Sequence, residues 1–283
     1  MSKAILVTGS NGLLGSAILS KLKDGGLAVE GFSGDIQNEK SYTKYKNKKY
    51  DWIIHTAAVT DVNGCEKNRR NCFNVNITGT KNVRDLASKC GAAFLYISTA
   101  SVFSGVEGNY NEEDVPNPSN FYNVSKFAGE IITSEYEKGT IVRTNIIGVH
   151  PQGSRGKNFF EWLLDSVKSN QDLNLFNDVQ INPLSNCTLA NLIKVIIESE
   201  KILRVVHLGS SNTLSKAQIG KFVIESEPSY TGTVKFVSID KVMKDLNRPK
   251  NMTINCSQTE KELGIAMPRL EDEINLIFKE LKS

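Results

Sequence analysis

Short apolar runs alternate with longer amphipathic stretches over the first half of the chain. The apolar runs predict strands at residues 4–8, 28–32, 52–56, 94–98 and 140–143. The stretches between them predict helices at residues 13–23, 72–89 and 121–137. Such alternation is typical of parallel strands joined by crossover helices. We therefore predict an α/β fold in which a doubly wound parallel sheet is covered by helices on both faces.

The pattern loosens after about residue 148. Amphipathic helices are predicted at residues 159–169, 189–198, 215–225 and 268–281, and short strands at 177–182 and 234–238. A late apolar run at 205–208 predicts a strand that returns to the first sheet. The chain is long for one domain and short for two independent ones. We predict a sheet domain over residues 1–147 and a smaller lobe that takes up most of 148–283.

Composition excludes several classes of protein. The formal net charge of +3 is too small to indicate a nucleic-acid or membrane partner. The five cysteines are odd in number and form no CxxC, which favours reduced thiols in the cytoplasm. No apolar run is long enough to span a membrane, and we expect no signal peptide. His55, His150 and His207 show no metal-ligand spacing, so no metal site is expected, and His55 and His207 are predicted to be core residues.

A glycine-rich turn follows the first predicted strand. The run VTGSNGLLGS places Gly9, Gly12 and Gly15 as GxxGxxG at the start of a predicted helix. Glycine is needed where a turn takes positive φ and where backbone touches a pyrophosphate, and the helix N-terminus offers free N–H groups to phosphates. A tight turn without a ligand is the alternative. The turn predicts a Rossmann-type NAD(P)-binding domain over 1–147, with cofactor contacts from Gly9, Ser10, Asn11, Gly12, Leu13, Leu14 and Gly15.

The end of the second strand bears on the choice of cofactor. An acidic residue at this position contacts the adenosine ribose and favours NAD. The position falls near Phe32 or Ser33, neither of which is acidic, and Asp35 lies two residues further on. This favours NADP(H) over NAD(H), although no arginine stands nearby to hold a 2′-phosphate.

The run FYNVSK holds a tyrosine and a lysine four positions apart. Tyr122 and Lys126 would share one face of the predicted helix. A free tyrosine titrates near pH 10, roughly three units too high for proton exchange at neutral pH, and a nearby ammonium favours the phenolate. The spacing alone is equally compatible with a surface helix. A hydroxyl partner should end a sheet strand, and the run YISTASVF supplies Ser98, Thr99 and Ser101 there.

The glycine turn, STASVF and YNVSK together resemble the extended short-chain dehydrogenase/reductases. The active site of that superfamily is formed by a serine or threonine, a tyrosine and a lysine. The resemblance implies Thr99, Tyr122 and Lys126 as catalytic residues, with Ser98 as the neighbouring alternative to Thr99. Thr99 would polarise a substrate carbonyl, and Tyr122 would donate a proton to its oxygen as hydride reaches carbon. Lys126 would also hydrogen-bond the nicotinamide ribose.

The same resemblance extends the expected cofactor site beyond the glycine turn. Small residues after the third strand would let the dinucleotide lie close, and an acid followed by an apolar residue would meet the adenine ring. Asn76 would steady the site, and a buried asparagine bonded to backbone is the alternative. Arg143 is expected to form a structural ion pair. The additional cofactor contacts are therefore Ser33, Asp35, Ile36, Thr56, Ala57, Ala58, Asn76, Ser98, Tyr122 and Lys126.

Within that superfamily the chain resembles the dTDP-4-dehydrorhamnose reductases. The resemblance is carried by TAAVTDVNGCE, GNYNEEDVPNPSNFYNVSKFAGE, INPLSN with VVHLGSSNTLSKAQIG, and RPKNMTINCSQTEKELGI. It implies NAD(P)H-dependent reduction of the C4 ketone of a nucleotide-linked 4-keto-6-deoxy sugar. By analogy, residues 59–63 and 145–157 would line the substrate pocket, and 182–185 and Arg248 would contact the nucleotide. The expected partners are this nucleotide sugar and a second copy of the chain.

The chain departs from that group beside the catalytic threonine. The group usually reads Ser-Thr-Asp-Tyr-Val-Phe, whereas Ala100 and Ser101 follow Thr99 here, and Asn123 replaces a usual glycine. The missing side chains shape the sugar pocket in that group, so the sugar stays open. A nucleotide-sugar epimerase or dehydratase is one alternative, disfavoured because no acid stands beside Thr99. A non-catalytic subunit resembling the regulatory β-subunit of methionine adenosyltransferase is another, disfavoured by the complete set of catalytic residues.

Overall fold

Strands and helices alternate along the chain, as the apolar pattern predicts. The computed structural model describes residues 3–151, 157–243 and 247–282. The strands of these residues are β1 (Ala4–Thr8), β2 (Ala28–Gly31), β3 (Trp52–His55), β4 (Ala93–Ile97), β5 (Gly139–Thr144), β6 (Ile146–Ile147), β7 (Leu173–Phe176), β8 (Gln180–Ile181), β9 (Leu184–Ser185), β10 (Val205–Leu208), β11 (Leu214–Ser215) and β12 (Val234–Val237).

Helices lie between these strands and also end the chain. They are α1 (Leu13–Asp24), α2 (Val62–Lys67), α3 (Arg69–Phe73), α4 (Thr80–Cys90), α5 (Phe121–Ser134), α6 (Phe159–Lys168), α7 (Asn186–Glu198), α8 (Lys216–Glu225), α9 (Ile239–Val242), α10 (Ser257–Leu263) and α11 (Leu270–Glu280). A π-helical turn, Asn74–Gly79, joins α3 to α4. Short 3₁₀ turns occupy Glu39–Tyr42 and Ala100–Val102.

The central sheet has the strand order β10-β5-β4-β3-β1-β2 among the described residues, and every pair in it is parallel. The predicted α/β fold with a parallel sheet is therefore confirmed. The late strand β10 does return to this sheet, where it pairs with β5. The strand order reverses between β1 and β3, and such a switch point opens a crevice at the carboxyl ends of the strands. The domain boundary at residue 147 stays a prediction.

The strands are apolar on both faces because both faces are covered. In β1, Ile5 and Val7 point into one buried cluster and Leu6 into another. In β4, Leu95 belongs to the first cluster and Phe94 to the second. Because successive side chains of a strand point to opposite faces, a sheet covered twice needs unbroken apolar runs. The runs along the sequence thus reflect helix packing on both sides.

The lobe has a separate apolar cluster, built from α6, α8, α11 and the strands β7 and β8. Two of its helices, α6 and α8, begin at side-chain caps that the sequence encodes. Asn158 and Glu161 form a capping box at α6, and Ser215 and Gln218 form one at α8. These reciprocal bonds satisfy backbone N–H groups that the first helical turn leaves unpaired.

Some predicted elements are wrong in extent. Of the strand predicted at 177–182, only Gln180–Ile181 is extended, and the preceding strand Leu173–Phe176, which pairs with β12, was not predicted. Residues between them turn because the Asp178 carboxylate accepts bonds from the Ser238 hydroxyl and the Ile239 amide. The short helices α2, α9 and α10 also escaped prediction, since helices this short depend on tertiary contacts.

A buried ion pair joins α5 to the sheet. The Arg143 guanidinium of β5 donates to the Glu130 carboxylate of α5, with Nη2 to Oε2 at 2.8 Å, and both side chains are almost fully buried. The Ser98 hydroxyl donates to the same carboxylate at 2.5 Å. The structural ion pair expected for Arg143 is confirmed. Breaking a buried pair costs more than the pair contributes, because the remaining charge is left without a partner.

We expect Glu130→Gln to lower the free energy of unfolding by roughly 3–5 kcal/mol, because the Arg143 charge would stay buried and uncompensated. Chemical denaturation followed by circular dichroism would measure it. The matched control is Asp85→Asn, which breaks the exposed Lys81–Asp85 pair and should change stability by less than about 1 kcal/mol. Equal, small losses in the two variants would contradict a structural role for the buried pair.

Candidate active site

The glycine turn is packed against the end of β3. Gly9 has φ +67°, and a Cβ atom there would lie 2.6 Å from the Thr56 hydroxyl oxygen and 2.7 Å from the Ala57 nitrogen. A Cβ on Gly15 would lie 2.2 Å from the Gly9 carbonyl oxygen. Side chains at these positions would push α1 away from the sheet. The glycines therefore hold the start of α1 at the switch point.

The N-terminus of α1 is open to a ligand. Gly12 precedes the helix, no side chain caps it, and the first turn contains no acidic residue. The first N–H groups of a helix lack partners within the helix and carry its positive dipole end. Together with the close approach that glycine permits, this suits the pyrophosphate of a dinucleotide. The residues present thus fit the cofactor that the sequence predicts.

A cavity of about 560 Å³ runs from the glycine turn to α5. Its lining comes from both halves of the chain and consists of Asn11, Gly12, Leu13, Leu14, Gly15, Thr56, Ala58, Thr60, Ile97, Ser98, Thr99, Tyr122, Lys126, Thr144, Asn145, Ile146, His150 and Asn158. The predicted catalytic residues and the glycine turn therefore face one space.

A second cavity, of about 800 Å³, continues from the glycine turn toward the end of β2. It is lined by Gly9, Ser10, Asn11, Gly12, Leu19, Gly31, Phe32, Ser33, Gly34, Asp35, Ile36, Thr56, Ala57, Ala58 and Val75. The two cavities share Asn11, Gly12, Thr56 and Ala58. Apart from Asn76, every residue predicted to bind the cofactor lines one or the other.

Thr99 and Tyr122 are held by the ends of two elements. Thr99 follows β4, and its hydroxyl accepts a bond from the Ser101 amide at 3.1 Å, which caps the 3₁₀ turn. Tyr122 lies in the first turn of α5, where the Asn120 side chain accepts a bond from the Asn123 amide. The Thr99 hydroxyl also bonds the Tyr122 phenol. The two hydroxyl groups could therefore bind one oxygen atom of a substrate together.

The pKa of Tyr122 shifts in the direction opposite to the one predicted. Burial raises the pKa above its ordinary value of 10, and the neighbouring thiols of Cys65 and Cys72 raise it further, while the bond with Thr99 lowers it. The expectation that Lys126 brings this pKa toward neutrality is wrong, because burial dominates the environment of the phenol. Tyr122 therefore keeps its proton at neutral pH.

Lys126 is buried beneath the cavity, with 5% of its surface exposed. Its Nζ donates to the Ile97 carbonyl at 2.7 Å and lies 4.2 Å from the centre of the Tyr96 ring. Burial lowers the pKa of this lysine from 10.5 to about 7, although Glu130 acts in the opposite sense. The ammonium is therefore partly deprotonated at neutral pH.

Asn76 lines neither cavity, and its contact with the cofactor stays a prediction. Its side chain is 1% exposed and pairs with both backbone groups of Val59, accepting from the amide at 2.8 Å and donating to the carbonyl at 3.0 Å. It also donates to the Ser125 hydroxyl at 2.9 Å. The alternative of a buried, backbone-bonded asparagine is what the structure shows. Asn76 ties the loop after β3 to α5.

His150 lines the same cavity as Thr99 and Tyr122, as expected for the loop at 145–157, whereas Asn158 just beyond that loop was not predicted there. The His150 Nδ1 lies 2.8 Å from a Glu161 carboxylate oxygen, and the His150 backbone amide donates to the other oxygen at 2.7 Å. Asn158, which also lines the cavity, caps α6, the helix that contains Glu161. The Asn-x-x-Glu spacing of a capping box was the available signal, because it predicts where α6 begins.

The other two histidines lie in the core, as predicted. The ring of His55 bonds the hydroxyls of Thr8 and Thr80 at 2.6 and 3.0 Å, and burial lowers its pKa to about 3. His207 is fully buried beside Arg143, and burial lowers its pKa to about 3 as well.

Within residues 3–151, 157–243 and 247–282 no group of His, Cys, Asp or Glu could hold a metal ion. None of the helices in these ranges has the length and apolar character that a membrane span requires.

The residues predicted around the substrate divide into two groups. Thr60 and Asn145 line the cavity, as expected for the loops at 59–63 and 145–157. Residues 152–156 of the second loop lie outside the described residues. Asn182 and Ser185 form hydrogen bonds within the lobe, and their contact with the nucleotide stays a prediction. The Asn182 amide bonds the Ser210 and Ile254 carbonyls, and Ser185 caps α7.

Comparison with known proteins gives a consistent result. The sequence profile of the RmlD substrate binding domain matches residues 2–283. The probable low-salt glycan biosynthesis reductase Agl14 of Haloferax volcanii is 27% identical over 292 residues, which cover 95% of each chain. The dTDP-4-dehydrorhamnose reductase of Salmonella typhimurium is 25% identical over 88% of this chain and 86% of its own.

A solved structure has the same fold over nearly its whole length. The dTDP-4-dehydrorhamnose reductase of Bacillus anthracis, crystallised in complex with NADP, superposes with a TM-score of 0.88. The comparison covers 99% of this chain and 100% of that one, at 27% sequence identity.

The lowered pKa of Lys126 predicts a pH-dependent cost in stability. Below pH 7 Lys126 is charged in both the folded and the unfolded protein, and burying that charge lowers the free energy of unfolding. Between about pH 7 and 10.5 only the folded protein has released the proton, so this destabilisation disappears as pH rises. We expect the free energy of unfolding of the wild type, relative to Lys126→Met, to rise by a few kcal/mol between pH 7 and 10. Denaturant titrations at several pH values would measure it, with exposed Lys81→Met as control. A pH-independent difference would contradict the lowered pKa.

Proposed function

The chain belongs to the RmlD substrate binding domain family, and we propose that it is an NADPH-dependent reductase. Its substrate is a nucleotide-linked 4-keto-6-deoxy sugar of the dTDP-4-dehydrorhamnose type, which it reduces at the C4 ketone. Relatives at 25–27% identity that match most of the chain are named as reductases, and one of them as a dTDP-4-dehydrorhamnose reductase. One observation carries the proposal: Thr99, Tyr122, Lys126 and the glycine turn line a single cavity.

The cofactor would lie along the two joined cavities. The open N-terminus of α1, with Gly12 and Leu13, would bind the pyrophosphate, and the space by Asp35 and Ile36 would take the adenine. The NADP of the Bacillus anthracis structure supports NADP(H) as the preferred cofactor, with NAD(H) as the second choice. None of the described residues that line this cavity is basic, so the Ser10 and Ser33 hydroxyls would bind the 2′-phosphate.

Thr99 and Tyr122 would bind the C4 oxygen of the sugar. Bound NADPH supplies a hydride to the C4 carbon, so negative charge develops on that oxygen. Hydrogen bonds from both hydroxyl groups stabilise this charge, since they are aimed at it before the reaction begins. The phenol of Tyr122 then transfers its proton to the oxygen. Its raised pKa suits this direction, because the residue has to arrive as the acid.

Lys126 would restore the proton that Tyr122 gives up. The two residues lie four positions apart on α5 and both face the cavity. A lysine whose burial lowers its pKa to about 7 gives a proton to a phenolate readily. Asn76 would act as a positioning residue, since it holds Ser125, and the Ser125 hydroxyl bonds the Tyr122 carbonyl at 2.7 Å.

An epimerase or dehydratase is less well supported. Relatives with those reactions use acid–base groups beside the threonine, and here Ala100 is fully buried and Ser101 donates its hydroxyl to the Met252 sulfur.

We place the reaction in the cytoplasm, where thiols stay reduced, because the cysteines of the described residues are all free. A homodimer is the assembly we propose.

We expect the purified protein to oxidise NADPH when it is given a dTDP-4-keto-6-deoxy sugar, followed by absorbance at 340 nm with the product identified by mass spectrometry. Tyr122→Phe should lose at least 100-fold in kcat, because general acid catalysis contributes about that much or more. Tyr136→Phe is the control, since its hydroxyl bonds a backbone carbonyl away from the cavity. No turnover with dTDP-, UDP- or GDP-linked 4-keto sugars would overturn the proposed function.

The lowered pKa of Lys126 also predicts the pH dependence of the reaction. Reduction consumes a proton, and the ammonium that supplies it is present below about pH 7 and lost above it. We expect kcat/KM for reduction to fall as pH rises, with one apparent pKa near 7. The same profile in Lys126→Arg should lack this limb, because arginine stays charged. A flat profile in the wild type between pH 6 and 9 would contradict the role of Lys126.

A further inference from the structure

A small cavity of about 60 Å³, with both polar and apolar lining residues, lies where α5 and the 3₁₀ turn meet the lobe. Ser101 and Asn123 line it from the sheet side, and Lys216, Arg248 and Met252 line it from the lobe. The volume corresponds to roughly two water molecules, at about 30 Å³ each. It is therefore large enough for one compact polar group of a ligand.

This cavity, termed the lobe cavity, shares no lining residue with the main cavity, but several of its lining residues are bonded to or adjacent in sequence to residues that line the main cavity. The Ser101 amide bonds the Thr99 hydroxyl, and Asn123 follows Tyr122 in α5. Met252 accepts a bond from the Ser101 hydroxyl, and its carbonyl accepts one from Asn145, which lines the main cavity. A substrate bound at Thr99 and Tyr122 could thus extend toward the lobe cavity.

The lobe cavity has more positive than negative charge. The Lys216 ammonium lies 4.8 Å from the centre of the Phe159 ring, and no carboxylate among the described residues bonds it. The Arg248 guanidinium donates to the neutral Asn63 amide at 3.0 Å. Burial lowers the pKa of Lys216 to about 8, and the charge of Arg248 contributes to that shift. Burial lowers the pKa of Arg248, and the nearby Asp61 carboxylate acts in the opposite sense.

Two hydrogen-bond donors at this place lack partners in the described parts of the chain. They are Asn123 Nδ2, on a side chain only 1% exposed, and Arg248 Nε. A buried donor without a partner costs about 1–3 kcal/mol. Buried charges are normally paired too. An anionic acceptor in the lobe cavity would satisfy both donors and offset the repulsion between the cations.

We propose that Lys216, Arg248 and Asn123 form a subsite for an oxyanion of the substrate, in which Lys216 and Asn123 determine specificity. The inference rests on the proposed function, because it assigns the substrate's charged group. A phosphate of the nucleotide and a carboxylate on the sugar share this chemistry. Ser101 and Asn123 are also positions where the chain departs from the reductases it resembles, so this subsite belongs to this chain's own residues.

Isothermal titration calorimetry on the full chain with NADP⁺ tests the subsite by binding. The phosphate probes are dTDP and thymidine, and the carboxylate probes are UDP-glucuronic acid and UDP-glucose. We expect Lys216→Met to weaken at least one charged probe about tenfold or more and to leave its less charged partner unchanged. Lys216→Arg should retain the affinity. Lys221→Met is the matched control, since Lys221 lies on the same helix and over an aromatic ring, 5.2 Å from the centre of Phe236, outside the lobe cavity.

Proton uptake on ligand binding distinguishes a binding role of Lys216 from a purely structural one, because a structural role would leave the uptake unchanged. An anion beside Lys216 raises its pKa above about 8, so binding at pH 8 should take up a proton in part of the molecules. Titrations in two buffers of different ionisation enthalpy measure this uptake, which Lys216→Met should abolish.

Each outcome decides between the sources or overturns the subsite. A loss of dTDP affinity assigns the phosphate, and a loss confined to UDP-glucuronic acid assigns the sugar carboxylate. Equal affinities for Lys216→Met and Lys221→Met with every probe, and unchanged proton uptake, overturn the proposal. Lys216-dependent binding without turnover of any keto sugar would contradict the proposed reductase while the subsite stands, so the two failures are distinguishable.

Discussion

The side chain of Asn76 is the contact on which the geometry of the site depends. It bonds both backbone groups of Val59, in the loop after β3, and the hydroxyl of Ser125, in the middle of α5. The cofactor loop and the catalytic helix are thereby fixed to one amide group. Asn76 reaches both because it lies in a π-helical turn, and such turns redirect side chains and often occur at functional sites.

The catalytic helix α5 is unusual in burying polar groups along most of its inner face. Lys126 is held by the Ile97 carbonyl, and Glu130 by Arg143 and Ser98. Gly129 lets the helix approach the sheet, since a Cβ there would lie 2.2 Å from the Tyr96 hydroxyl. Lys126 and Glu130 are thus bonded, so their burial costs less than it otherwise would, whereas Asn123 Nδ2 on the same helix has no partner among the described residues. Stability and chemistry therefore depend on the same residues, because the burial that weakens the fold also lowers the pKa of Lys126.

The site as a whole joins two halves of the chain with different tasks. The first half supplies the glycine turn, the two hydroxyl groups and the lysine that line one cavity, and the proposed function assigns dinucleotide binding and proton transfer to them. The lobe supplies His150, Asn158 and the cations of the lobe cavity, which lie where the rest of a substrate would extend. The raised pKa of Tyr122 fits this division, since the helix needs to deliver a proton only to an oxygen that has already gained charge.

The sequence alone determined three features, because each depends on local periodicity or turn chemistry. They are the alternation of apolar runs with helices, the glycine turn, and the spacing of Tyr122 and Lys126. The sheet and its late strand followed from the apolar pattern, the glycine turn predicted its own part of the cavity lining, and the family resemblance supplied most of the other lining residues that were predicted. The role of Asn76, the sign of the Tyr122 pKa shift and the meeting of Lys216 with Arg248 did not follow from these signals. They arise where segments far apart in sequence pack together, and desolvation and charge pairing at such places depend on neighbours that no local pattern contains.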